Sequence, residues 1–396
     1  MKLTCNISRS ITASIALSLS LISASAQSTW SGGGANGNIS TTLNWDTAPT
    51  TGVGNTMNFA GIVNTTVNND ITLTSADQVI NFNSGAATFT IGGGAIRAGN
   101  ISNNSSSVQD FTAGLRLNGT RTFNVGTAGI FLSTPVGSTS ASARQVTKTG
   151  TGDLVIGNGT ALSGGSAYSV GAGALVLSNS VSQTMSLGSG TANIGLTANG
   201  TSLKLLNAGT LNINGAISTV SGSTVALNNT GSANAVGGTT IASGAFLNGK
   251  GTLSGGLVSV SGDVAPGISG IGTINVASLS FLSGATIELE LDRSAGQNAD
   301  LLAATGTLSY GGTLNIANIG ATLQSGDTFN LFDGTLSGTF AATNAPDLSA
   351  LGLTWDWSQF SSQGILSVTT VPEPATLTLV GLGATALVWR VRRRKG

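Results

Sequence analysis

A short unit, Gly-x-apolar-x-apolar, returns along the chain at intervals near twenty residues. It stands as Gly152-Asp153-Leu154-Val155-Ile156, Gly173-Ala174-Leu175-Val176-Leu177 and Gly209-Thr210-Leu211-Asn212-Ile213, with a looser copy from Gly190 to Ile194 and a partial one from Gly244 to Leu247. The leading glycines at 152, 173, 190 and 209 are 21, 17 and 19 residues apart. Alternation over five residues puts the apolar side chains on one face of a strand, and the glycine allows a tight bend before it. Strands this short cannot bury that face alone, so each coil must be covered by the next. The expected fold is all-β, a right-handed parallel β-helix; an antiparallel sandwich or barrel is the alternative. Turns such as Asn228-Asn229 and Asn248-Gly249 tolerate left-handed backbone and can bond to equivalent turns above and below.

Composition supports order. Charged residues are 8% of the chain, where a quarter is usual, and 58 of 396 residues are Gly. Low charge accompanies disorder when apolar residues are scarce, but here they alternate regularly. Between the two ends the chain carries eight basic residues (Arg97, Arg116, Arg121, Arg144, Lys148, Lys204, Lys250, Arg293) against fourteen acidic ones. A body of net charge near six negative offers no phosphate-neutralising patch, so nucleic acid is not an expected partner.

The N-terminus reads as a signal peptide over residues 1–26. Lys2 and Arg9 precede an uncharged run from Ile11 to Ile22, and Ala24-Ser25-Ala26 supplies the small-residue cleavage site, so the mature chain begins at Gln27. Signal peptidase and the Sec export machinery are the implied partners; an uncleaved anchor helix is the alternative. The single cysteine, Cys5, lies in this segment, which leaves the mature body without thiol or disulfide.

At the other end, residues 372–396 hold Pro372-Glu373-Pro374, an apolar run over 375–389, and a basic stop of Arg390, Arg392, Arg393, Arg394 and Lys395. A helix of that run spans about 22 Å against a hydrocarbon core of about 30 Å, and snorkelling of the flanking arginines narrows the difference. Trp389 occupies an interfacial position, and the basic end fixes the C-terminus on the cytoplasmic side. The segment resembles the PEP-CTERM sorting signal of Gram-negative bacteria. That resemblance implies a protein exported and held at the inner membrane by a transmembrane helix, then processed by an exosortase and delivered to the cell surface or extracellular matrix. A permanent single-pass anchor is the plainer reading.

A second resemblance covers residues 30 to 270. Trp30-Ser31-Gly32-Gly33-Gly34 with Asn44-Trp45, the stretch Lys148-Thr149-Gly150-Thr151-Gly152-Asp153-Leu154-Val155-Ile156, and Gly251-Thr252-Leu253-Ser254-Gly255 with Ala265-Pro266-Gly267 are similar to proteins with autotransporter-associated β-strand repeats. It implies a β-solenoid over 27–267. The outer-membrane barrel of a true autotransporter has no counterpart, because one apolar helix stands in its place. Ala265-Pro266-Gly267 marks a boundary, and residues 268–371 are expected as a small β-rich unit closing the open end of the stack.

Chemistry is constrained by absences. Without histidine, and with Cys5 as the sole cysteine, Ser-His-Asp and Cys-His sites and the usual zinc sites are excluded. Gly92-Gly93-Gly94 lacks a following Lys-Ser/Thr and reads as a turn. Glu288, Glu290 and Asp292 alternate with Ile287, Leu289 and Leu291, a row able to bind Ca²⁺ or supply a glycosidase pair, or simply the solvent face of a strand. Arg116 with Arg121, or Arg144 with Lys148, are the basic pairs that a polysaccharide lyase would need. Trp355 and Trp357 share a strand face and fit either a sugar platform or a cap position. No catalytic, cofactor or metal residue is assigned. The expected protein is a non-enzymatic surface or matrix component in contact with exopolysaccharide; an adhesin or carbohydrate-binding protein is the alternative, and a polysaccharide lyase or glycosidase stands behind it.

Overall fold

Burial of one strand face after another dictates a coil. The computed structural model describes residues 26–133, 136–138, 144–157, 166–179, 184–187, 193–267 and 270–371. Among these, 30 strands form one wound sheet and three form a small antiparallel sheet. Every pairing between strands of the wound sheet is parallel, from Ala26–Trp30 on Asn55–Phe59 to Thr313–Asn318 on Ala342–Asn344. The expected β-solenoid is therefore present, and the sandwich and barrel alternatives are not.

One inward column shows the register. Ser28 pairs with Met57, then Ile80, Ile101, Phe123, Lys148, Val170 and Leu196 follow on successive coils. The adjacent column runs Ile194, Ile217, Thr239, Val258, Leu279, Leu308, Leu336. All of these but Leu336 are buried. A fully buried Leu, Ile or Val contributes roughly 1.5–3 kcal/mol, so the stack supplies the burial that a lone strand lacks.

Bends are held by inward asparagines. Asn179 Nδ2 donates to the Thr210 carbonyl (3.1 Å), Asn207 Nδ2 to Ser232 (3.1 Å), and Asn229 Nδ2 to Thr252 (2.9 Å). Each amide thus ties its own bend to the next coil, the role expected of Asn229. Gly249 (φ +98°) and Gly251 (φ +144°) are required here, because a Cβ would run into the Leu227 carbonyl and the Asn229 side chain.

Aromatic residues concentrate at the two ends. Trp30, Trp45, Phe59, Phe82, Phe89 and Phe111 pack in sequence at the start. There the first strand's open edge is covered: Thr29 N–H donates to Asp46 Oδ1 (2.7 Å) and Asp46 N–H to the Thr29 carbonyl (3.0 Å). The Thr29 N–H at its carboxylate holds the Asp46 carboxyl below the usual range. At the finish, Tyr310, Phe340 and Phe360 form a mutually packed triangle (4.6, 5.7 and 6.2 Å between ring centres), with Phe332 and Trp357 against them.

Parallel coiling continues across residue 267, where the sequence places a boundary. Phe246–Val260 pairs with Thr273–Phe281, which pairs with Leu301–Tyr310 and then with Phe332–Gly338. Within 268–371 the antiparallel part is limited to Thr328–Asn330, Leu353–Asp356 and Ile365–Thr370. Thr343 sits above buried Leu314 yet is exposed. Residues 1–25 and the sorting segment 372–396, with Ala24, Pro372, Glu373, Pro374 and the basic stop, lie outside the described residues. Among the described residues no helix is long and apolar enough to cross a membrane.

Candidate functional site

Alternation that buries one side chain must expose the next, and the exposed columns are stacked as strictly as the buried ones. One outward column runs Lys204, Ala226, Asn248, Ala265 by direct pairing. Glu288 continues it, because Val264 pairs with Ile287, and Asn315 and Asn344 follow. Long side chains at Lys204 and Glu288 bracket two alanines, so the surface sinks between them. Two depressions of about 270 Å³ and 240 Å³ lie over this stretch and share Asn248 and Gly267. Together they make a shallow groove along the coil axis. Lys204, Leu206 and Asn228 line one end, and Pro266, Glu288, Glu290 and Asp300 the other.

The acidic end keeps two of the three side chains that the alternation groups and replaces the third. Glu288 is exposed and accepts a bond from Asn315 Nδ2 (2.7 Å), while half-buried Glu290 borders the depression. Asp292 does not line it. Its carboxylate turns back to accept Ser294 Oγ (2.5 Å) and N–H (3.0 Å), which hold it below the usual range. Asp300 takes the third place. It is wholly buried, with Oδ1 accepting Gly272 N–H (2.7 Å) and Oδ2 accepting Glu290 N–H (2.8 Å). Loss of water around Asp300 pushes its carboxyl up to about 7, against those two donors, which favour the anion. Among the described residues no three acidic groups are gathered closely enough to hold a metal ion, so the Ca²⁺ row is not assembled. Sequence reasoning passed over Asp300 because it follows Asn298-Ala299 outside any alternating run; no periodic signal marks it.

The two basic pairs do not form a cleft. Arg121 binds Asp77 and also donates Nε–H to the Ala98 carbonyl (3.2 Å), and Arg97 Nε meets the same Asp77 at 2.6 Å. Arg116 stands apart on an exposed position above Arg97. Arg144, Val146 and Lys148 all face inward on one strand. Lys148 is 1% exposed, seated between Phe123 and Val170, and its Nζ donates to the carbonyls of Gly150 (2.7 Å), Ala172 (2.7 Å) and Thr149 (3.4 Å). Burial brings the ammonium down to about 8, partly opposed by the nearby Asp153 charge. Its position two residues from Val146 on an alternating strand is the signal that it points inward.

Trp355 donates Nε1–H to the Pro346 carbonyl (2.9 Å) and packs on Phe329, while Trp357 packs on Phe360 at 4.9 Å. Both lie beside the small antiparallel sheet. In that sheet Ile365–Thr370 is the central strand, paired with Thr328–Asn330 on one side and Leu353–Asp356 on the other. Val371 N–H then donates to the Gly352 carbonyl (3.1 Å), so backbone pairing extends to the residue directly before Pro372.

The family model of the PEP-CTERM protein-sorting motif matches residues 370–394. That motif implies an exported protein, associated with the membrane before an exosortase processes it. No curated protein matches the chain.

Proposed function

We propose that this chain is a non-enzymatic structural protein of the cell surface or extracellular matrix, exported through Sec with signal-peptidase cleavage after Ala26. Residues 375–389 hold it at the inner membrane as a transmembrane helix until an exosortase cuts near Pro372-Glu373-Pro374. The working part is a right-handed solenoid rod with a low-charge exterior, built of autotransporter-associated repeats, that contacts exopolysaccharide. The observation that carries the reading is the junction at Val371. The body's last strand is paired on both edges, and the Val371 backbone bond closes one residue before Pro372. A cut at or beyond Pro372 removes the anchor without breaking any bond of the described body, as release of a finished rod requires.

Mass spectrometry of the mature C-terminus, from inner-membrane and extracellular fractions, tests this. Peptides ending within residues 371–375 in the outer fraction are expected. Recovery of Arg390 to Lys395 in inner-membrane material alone would mean a permanent anchor and would end the sorting reading.

A further inference from the structure

We infer that the axial groove between Lys204 and Glu288 is a binding site for a linear, uncharged, hydroxyl-rich glycan chain lying parallel to the coil axis. The inference concerns the rod after delivery and is independent of how the chain is sorted.

The groove follows from register. Four steps of the outward column separate Lys204 from Glu288, which at roughly 4.8 Å per coil gives a trough of about 19 Å. Its floor is Ala226, Asn248 and Ala265, each flanked along its strand by inward residues, so the trough depends on the small size of two outward alanines rather than on a gap in the core. Only an elongated occupant uses both depressions.

The chemistry of the walls selects the class. The floor strands Thr224–Ala235 and Phe246–Val260 each pair with coils on both sides, and Asp263–Pro266 pairs with the coils before and after it. With a coil on each side these strands leave no free edge along which a peptide could add as a strand, so recognition falls to side chains. Those side chains are the amides of Asn228 and Asn248, which donate and accept, and the carboxylates of Glu288 and Glu290, which accept only. Hydroxyl groups match such a set. An anionic polymer is repelled by the outward Glu288 and Glu290. A cationic one meets Lys204 at the other end, whose Nζ is already engaged with Asp153 at 2.9 Å. Leu206 (40% exposed) supplies apolar surface for ring faces.

The test is affinity electrophoresis and calorimetry of the exported protein, purified from cells, against dextran, a soluble mixed-linkage β-glucan, polygalacturonate and polylysine. At least one of the neutral polymers should be bound and polygalacturonate should not. Ala226→Trp and Ala265→Trp each fill the trough from outside the core and should lower affinity tenfold or more with an unchanged circular dichroism melt. Glu288→Gln, which preserves shape, should lower it several-fold and keeps the test open should a Trp variant fold poorly. Binding of polygalacturonate or polylysine in preference to both neutral polymers, failure of both neutral polymers to bind, or undiminished binding in the folded Trp variants would overturn the assignment.

Discussion

Replacing Lys148 by Met separates the two opposed roles of a buried lysine. The stem volume between Phe123 and Val170 is kept, while the donors to the Gly150 and Ala172 carbonyls are lost. Two buried acceptors without partners cost about 1–3 kcal/mol each. Against this, the charged ammonium is disfavoured inside the coil, since its folded pKa of about 8 lies below 10.5. Between those values the unfolded chain holds the proton and the folded chain does not, so this group's contribution to stability rises with pH across the window. The full rise is up to about 3 kcal/mol. A neutral amine keeps two N–H donors for the two 2.7 Å acceptors, so deprotonation removes the charge penalty without freeing the carbonyls. The destabilisation by K148M should therefore be small near pH 7 and larger by about 2–3 kcal/mol near pH 10.5. The measurement is urea unfolding at both pH values by far-ultraviolet circular dichroism, with wild type and variant compared at each pH so that other titrations cancel. Tryptophan fluorescence is a poor probe, because Trp30, Trp45, Trp355 and Trp357 sit near the ends of the coil. A variant penalty equal at the two pH values, or a variant more stable than wild type at pH 10.5, would refute the account.

Asp300 gives the opposite sign. Its folded pKa of about 7 lies above the ordinary 3.8, so its contribution to stability is fully present below pH 4 and is lost as pH rises through 7; Asp300→Asn should flatten the pH dependence of melting between 4 and 7, as differential scanning calorimetry would register. Chain length at the small antiparallel sheet supplies another test. A body ending at Val371 should melt as the longer chain does, whereas one ending at Gln363 loses the central strand Ile365–Thr370 and the Val371 bond; lowered protection from hydrogen exchange in Thr328–Asn330 and Leu353–Asp356 should follow.

Periodicity carried the solenoid well because the glycine-led pairs Leu154–Ile156, Leu175–Leu177 and Leu211–Ile213 all prove to be stacked inward positions. It said less about the far end, since Pro266 looks like punctuation and does end a strand, yet that strand's neighbours continue the coil. Non-local geometry accounts for the rest. The three-acid row was legible as a pattern, but Asp292 leaves it through a local Ser294 turn, and Asp300 joins from ten residues beyond Glu290 by bonding across a loop. Lys148 looked like a surface cation by residue type, although its strand phase already placed it inside.

The low charge of the chain follows from the same register. Outward columns repeat at roughly 4.8 Å, so a column of like charges would cost near 1 kcal/mol per neighbour even in water, and more beside a dry core. Neutral amides and hydroxyls instead gain by repetition: Asn81 bonds Asn58 (3.0 Å), Asn234 bonds Asn212 (3.2 Å), Asn344 bonds Asn315 (2.7 Å), and Ser232 meets Ser254 (2.8 Å). Charges are tolerated where opposite signs meet across coils, as Asp77 does with Arg97 and Arg121, Asp153 with Lys204, and Arg293 with Asp327. The Ser, Thr and Asn content is thus a consequence of stacking. Glu288 meets an amide, Asn315, across the coils (2.7 Å) where the other charges meet an opposite sign, and it stands where the outward column dips into the groove.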